Sequence, residues 1–225
     1  TATAISEIGM AGDFDFLGGV FPGTGGNCGA SLAAGASCDV FLEFAPTSLG
    51  PLATTFNIQY NDGAVNQNLT KALQGVGGTP AALDIAGADP YDFGTQAVGS
   101  NNTVILVVSN SGAVSATSIA DAATLAPPYG FVGGAFPGTG GDCTATLGSG
   151  ASCNIEVEFI PAATGVVNQN ITLNFDDGTG AQVFTHGVTG NGANPANLSI
   201  TGPDPYDFGN VTQADTATAT LTVQN

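Results

Sequence analysis

Val40-Phe41-Leu42-Glu43-Phe44 returns later in the chain as Ile155-Glu156-Val157-Glu158-Phe159. The first, third and fifth positions are apolar in both copies, while the second changes from Phe to Glu and the fourth is Glu in both. That is the two-residue period of a strand with one buried face. The offset of 115 residues holds without a gap elsewhere: Phe21 to Gly26 recurs as Phe136 to Gly141, and Asp89 to Gly94 as Asp204 to Gly209. Residues 1–110 therefore overlay residues 116–225, a tandem array of one module.

The two copies make further strands legible, because inward positions stay apolar and outward ones drift. Phe56, Ile58 and Tyr60 match Ile171, Leu173 and Phe175, with Asn, Thr or Gln between them. Val104, Leu106 and Val108 match Ala219, Leu221 and Val223. Asn61-Asp62-Gly63 and Asp176-Asp177-Gly178 are tight-turn signals, so each predicts a hairpin whose second strand runs to about Leu73 or Val188. Gly75 to Pro80 and Gly190 to Pro195 read as linkers. The spacing predicts about seven strands in a full module spanning residues 80–194, and no helix. The expected class is all-β, a tandem array of β-sandwich modules.

Hydrophobic residues make up 43% of the chain and charged ones 8%, which excludes disorder driven by charge. Eighteen acids against Lys71 alone give a formal net charge of −17. Such a surface repels phosphate backbones and anionic headgroups, so neither nucleic acid nor a membrane is an expected partner. No apolar run approaches the ~18 residues that span a bilayer. Thr1 to Ile5 lack the basic start and apolar run of a signal peptide, so the chain is expected to be mature or an excerpt.

Four cysteines form two pairs at equivalent places, Cys28 with Cys38 and Cys143 with Cys153. Gly35-Ala36-Ser37 and Gly150-Ala151-Ser152 precede the second member of each pair, and a turn there folds the flanking segments back into bonding reach. Two disulfides are expected. The rival, a zinc site, needs closely spaced Cys pairs or added His ligands, and His186 is the one histidine. Paired disulfides place the chain outside the cytoplasm, extracellular or at the cell surface.

Nothing in the sequence supplies a nucleophile with its base or a metal cluster, so no catalytic residue is expected. His186 aligns with Lys71, and both share strand parity with apolar neighbours. A guard against edge pairing explains them, with a bulge at Ala72 or Gly187 turning the side chain outward. The Gly-rich stretch from Phe21 to Gly26 lacks the Lys and following helix of a phosphate loop and reads as the approach to the disulfide. No cofactor is expected. Calcium is the ion such an acidic chain would take, with Asp89, Asp92, Asp204 and Asp207 beside the linkers as weak candidates, although Asp in a turn needs no ion. A single Lys argues against internal isopeptide bonds. Asn68, Asn101, Asn170, Asn197 and Asn210 fit the glycosylation pattern, which arises easily by chance in an Asn- and Thr-rich chain.

Apolar residues on outward positions are the sharper signal. Phe41 stands where the other copy has Glu156, and Ile105 and Val107 stand where it has Thr220 and Thr222. These three, with Leu221 and Val223 of the unfinished C-terminal module, are the candidate interface residues; ordinary β-forming residues on a half-covered sheet are the alternative.

The order of motifs resembles the choice-of-anchor D repeats of bacterial surface proteins. It runs Asp92-Phe93-Gly94, Val108-Ser109-Asn110-Ser111-Gly112, Cys143, Leu147, Gly150-Ala151-Ser152-Cys153, Phe159-Ile160-Pro161 and Gly165. The first copy repeats it from Cys28 through Leu32, Cys38, Phe44-Ala45-Pro46 and Gly50. Those repeats are similar to immunoglobulin-like domains of the abnormal-spindle, hydin and major sperm protein types. The resemblance implies an extracellular immunoglobulin-like module within a long surface protein, and no activity.

On this reading residues 1–79 are a module lacking its first two strands, 80–194 a whole module, and 195–225 the first two strands of another. Either fragment alone leaves core and edges open. A longer covalent array would complete them, and so would strands exchanged head to tail between copies, which does not close on itself and gives a filament. The expected function is a structural extracellular fibre whose partner is a copy of itself. An adhesin stalk is the alternative, and a module of a secreted hydrolase the least supported.

Overall fold

The hairpins announced by the turn tripeptides are the longest strands of the chain. The computed structural model describes residues 1–10, 12–122 and 125–225. Two units arise, one of residues 1–82 with 111–115, the other of 83–110 with 116–225. The first carries β1 (Ala2–Glu7), β2 (Phe14–Phe16), β3 (Ser31–Leu32), β4 (Leu42–Phe44), β5 (Gly50–Asn61) and β6 (Asn66–Gly77). The second begins with β7 (Leu83–Ile85), β8 (Tyr91–Ala97), β9 (Asn102–Asn110) and β10 (Thr117–Asp121). It continues through β11 (Tyr129–Phe131), β12 (Ser152–Phe159), β13 (Gly165–Asp176) and β14 (Ala181–Ala193) to β15 (Ser199–Thr201) and β16 (Thr222–Gln224). No described residue is helical.

In the second unit two four-stranded sheets form, ordered β10-β13-β14-β8 and β11-β12-β9-β7. Their facing positions are those that stay apolar between copies. Ile155, Val157 and Phe159 on β12, Ile171 and Leu173 on β13, and Leu106 and Val108 on β9 are all buried. The β13 to β14 ladder runs unbroken from Gly165↔Gly192 to Asp176↔Ala181. Its turn is fixed by Asp177, whose Oδ1 accepts the amides of Thr179 and Gly180. Asp62 does the same for Ala64 and Val65 in the first unit, where β5 and β6 pair from Gly50↔Gly77 to Asn61↔Asn66.

The second unit has eight strands up to residue 193 where about seven were expected. The additional one is β8, parallel to β14 with Val188 opposite Tyr91 and Gly192 opposite Gln96. Its alternation is broken locally: Gly94 has a φ of 70°, Asp92 Oδ1 accepts the Gly94 amide, and the register shifts between Thr189 and Asn191. Three strands, not two, therefore precede Asn110. The first unit lacks the counterparts of all three. Its sheets are β3-β1-β5-β6, with β6 at an edge, and β2-β4 alone.

The bulge expected at Ala72 or Gly187 is absent, since both hairpin ladders keep their register through those residues. Nor is β14 an edge, because β8 covers its far side. Lys71 is exposed, but His186 points inward and is buried, and its Nε2 has no hydrogen-bond partner among the described residues.

Candidate functional site

Each unit carries one disulfide, Cys28–Cys38 and Cys143–Cys153, both with Cα atoms 4.9 Å apart. The Gly-rich approach folds identically in both. Phe21 meets Phe16 edge to face at 5.5 Å, and Phe136 meets Phe131 at 5.5 Å. Gly138 (φ 92°) lies so close to the Glu156 carbonyl that no Cβ would fit. Beyond it Asp142 Oδ1 accepts the Asn154 amide at 2.6 Å, as Asn27 Oδ1 accepts that of Asp39 at 2.6 Å. The bridge and these bonds staple a long loop onto the strand that carries the second cysteine.

Three of the four acidic candidates, Asp89, Asp92 and Asp207, have structural tasks, and Asp204 is exposed. Asp92 and Asp207 each accept the amide two residues on, and Asp89 Oδ1 accepts the Gly187 amide at 2.7 Å. Among the described residues no three His, Cys, Asp or Glu side chains come together as a metal would require. Tyr129 Oη donates to the Val167 carbonyl at 2.8 Å, and burial, with the Asp92 carboxylate second, pushes its hydroxyl up to about 12.

The feature that stands out is an apolar face that one unit closes and the other leaves open. In the second unit Phe93 of β8 joins Tyr129 and Phe159, whose rings stack at 4.8 Å. The equivalent Phe14 and Phe44 lie 4.6 Å apart, and among the described residues no third ring meets both. The first unit also holds a hollow of about 490 Å³, lined by Ile5, Cys38, Val40, Ile58, Tyr60 and Leu69. Three core residues of β8 and β9 in the second unit have counterparts in residues 195–225, every one of which is exposed. Leu106 is 4% exposed and Leu221 48%, Val108 1% and Val223 58%, Phe93 8% and Phe208 57%.

The sequence candidates divide accordingly. Leu221 and Val223 are exposed on positions that are core in the second unit. Ile105 and Val107 are exposed on the outer face of β9, opposite Glu156 and Asn154. Phe41 is also exposed, with its ring edge 3.9 Å from where a Cβ of Gly25 would stand, whereas Glu156 accepts the Gly140 amide at 2.7 Å. Aromatic and carboxylate thus cover the same loop by different means, and the Phe41 exchange needs no partner.

Two residues of weight were missed. Phe93, hidden inside the Asp-Phe-Gly motif, is the ring that ties the sheets together. Asn110 is buried and donates from Nδ2 to the Leu147 and Gly148 carbonyls at 3.1 and 3.2 Å. The signal was available in both cases, because Phe208 and Asn225 repeat them.

Residues 86–187 match the family model of the HYDIN/CFA65/VesB-like Ig-like domain. The all-β sandwich of the second unit is thus immunoglobulin-like. Among solved structures the chain is similar to the Vibrio cholerae VesB protease, at 14% identity and a TM-score of 0.37, over 50% of this chain and 32% of that chain. It spans about a third of the length of that protease. It is also similar to the ASH/PapD-like domain 7 of human CEP192, at 13% identity and a TM-score of 0.35, over 53% of this chain and 89% of that one. No curated protein matches the chain. Among the described residues no helix is long and apolar enough to cross a membrane.

Proposed function

We propose that the chain is a structural, non-enzymatic part of an extracellular fibre built from disulfide-stapled immunoglobulin-like modules of the choice-of-anchor D type, each split module being completed by the neighbouring copy, either by strand complementation or within a longer covalent array. The observation that carries this reading is the residue-by-residue match between an open apolar face in residues 1–79 and exposed apolar side chains in residues 195–225. Burying a Leu, Val or Phe fully contributes about 1.5–3 kcal/mol, so several together offset a cost of association that is of the same order. The two disulfides fit an oxidising compartment. A closed, symmetric contact would use one patch on both partners, but here the two surfaces differ, and a heterologous contact of that kind propagates.

Electron microscopy of the native material tests the proposal. Filaments with one module-sized axial repeat are expected. Isolated stalks ending in a distinct tip would favour an adhesin instead, and dispersed single chains at all concentrations would overturn the fibre.

A further inference from the structure

We infer that the edge of β9 at Thr103 and Ile105 takes up an extended, cationic segment of another protein, which adds a strand to the sheet in line with β7. The segment alternates apolar side chains, turned toward the sandwich interior, with Lys or Arg on the outer face.

Main-chain hydrogen bonds on β9 alternate between its two sides, as in any antiparallel ladder. Asn110 donates to the Ala151 carbonyl at 3.0 Å, so the even-numbered residues of β9 bond toward β12. The odd-numbered ones bond the other way, where Ala86 donates to the Val107 carbonyl at 3.1 Å and Ser111 to the Ala82 carbonyl at 2.9 Å. There β7 stops. Gly87, at a φ of 120°, turns the chain off β9, and Asp89 is already bonded to Gly187 of the opposite sheet. Since β9 extends back to Asn102, the N–H and C=O groups of Thr103 and Ile105 have no partner among the described residues. The inward side chains register the gap: Leu106 and Val108 are buried, whereas Asn102 and Val104 are half-buried.

Such an edge accepts another strand unless something blunts it. The outer edges of this unit are blunted. β10 carries Ser118 at a φ of 54° and a register shift between Thr117 and Ala120. β11 is three residues long behind Pro127 and Pro128, and β8 has Gly94 at a φ of 70° with a shift of its own. β9 has no bulge, its register against β12 being unbroken, and no Pro, Gly or charge from Thr103 to Val107. Main-chain bonds along it are those of strand addition.

The outer face sets the charge of the partner. Glu158 stands opposite Thr103 and Glu156 opposite Ile105. Glu158 Oε2 accepts from Asn101 Nδ2 at 3.2 Å, which draws its carboxylate toward the start of β9. Ile105 and Val107 beside them are 55% and 40% exposed. Lys or Arg stems cover these two side chains while their charged heads reach the carboxylates. No Lys or Arg occurs in residues 83–225 to offset them, and a second copy, with its formal net charge of −17, is repelled.

The test uses the full chain, 15N-labelled, with a short peptide of alternating lysine and valine; the same peptide with glutamate for lysine is the control. Amide exchange is read residue by residue. At saturation the lysine peptide should slow Thr103 and Ile105 roughly tenfold or more, and leave Val104 and Leu106, already bonded to β12, unchanged. Equal protection by the glutamate peptide, protection elsewhere, or none would each overturn the inference. Thr103→Pro removes a donor at the open edge without touching the β12 ladder. It should abolish the effect of the peptide on Ile105 while Val104 and Leu106 stay protected, and undiminished binding would contradict the edge. Glu156→Gln with Glu158→Gln keeps the acceptors for Gly140 and Asn101. The pair should weaken the peptide roughly threefold to tenfold at low salt, and an unchanged affinity would contradict a cationic partner. None of these outcomes depends on filament formation, so the fibre stands or falls separately.

Discussion

Phe93 sets its ring 5.6 Å from that of Phe159, which ties β8 of one sheet to β12 of the other. Neither residue is near the other in sequence, and the contact exists only because β8 runs parallel to β14. Removing the ring leaves a void between the sheets. Phe93→Ala should cost about 3 kcal/mol in the chemical denaturation of the second unit, at the lower end for a buried aromatic. A loss below about 1 kcal/mol would mean that the ring is peripheral to the core.

Tyr129 occupies the place of Phe14 and adds a hydroxyl bonded to the Val167 carbonyl. Tyr129→Phe should therefore cost only about 1 kcal/mol at neutral pH. Because its folded pKa lies near 12 against an ordinary value near 10, the native state holds the proton longer than the unfolded chain. That stability is complete below pH 10 and lost as pH rises toward 12. Melting curves should show this alkaline limb in the parent chain and a shallower one in Tyr129→Phe.

Asp62 behaves in the opposite sense. The Val65 amide first, then the Gln67 side chain and the Ala64 amide, hold its carboxyl down at about 2. The resulting stability is present above about pH 4 and lost as pH falls through 2. The protection of the Asn61 to Asn66 turn amides, relative to their intrinsic exchange at each pH, should fall over that window, and Asp62→Asn should make that protection nearly independent of pH. An unchanged pH dependence in the variant would assign the effect to other groups.

The Cys143 to Cys153 bridge closes a loop of about 11 residues, for which chain entropy gives roughly 2.8 kcal/mol. Replacing both cysteines by Ala should lower the unfolding free energy of the second unit by about that amount without altering β12 to β9 pairing. An equal stability in the two forms would show that the hydrogen bonds from Asp142 suffice.

His186 is buried with an Nε2 that has no hydrogen-bond partner among the described residues. Leaving such an atom unpaired costs about 1–3 kcal/mol. His186→Leu should thus stabilise the second unit by about 1 kcal/mol in urea titration. A destabilised variant would indicate that the imidazole holds a partner in solution.

Much of the sandwich was legible because two copies expose which positions must stay apolar: Ile155, Val157, Phe159, Ile171 and Leu173 are all core, as alternation implies. The turns at Asp62 and Asp177 were legible for a chemical reason, since an Asp carboxylate closes a turn on its own backbone. β8 was not, because its glycine in the left-handed region and its shifted register erase the local period, and a parallel partner leaves no turn to announce it. Parity alone points His186 inward, but the expected bulge would have turned it out; β8 makes β14 an inner strand, and His186 stays buried. The repeat marks Leu221 and Val223 as interface candidates, and both are exposed, whereas Phe208 and Asn225 carry their meaning only through what Phe93 and Asn110 do in the finished module.

The most direct test of the account is amide hydrogen exchange on the assembled chain, comparing residues 217–224 with their counterparts 102–109 in β9. The account predicts protection of the same order in both segments, and its loss from 217–224 alone in Leu221→Asp. Free-coil exchange throughout 217–224 in assembled material, with 102–109 protected, would contradict it.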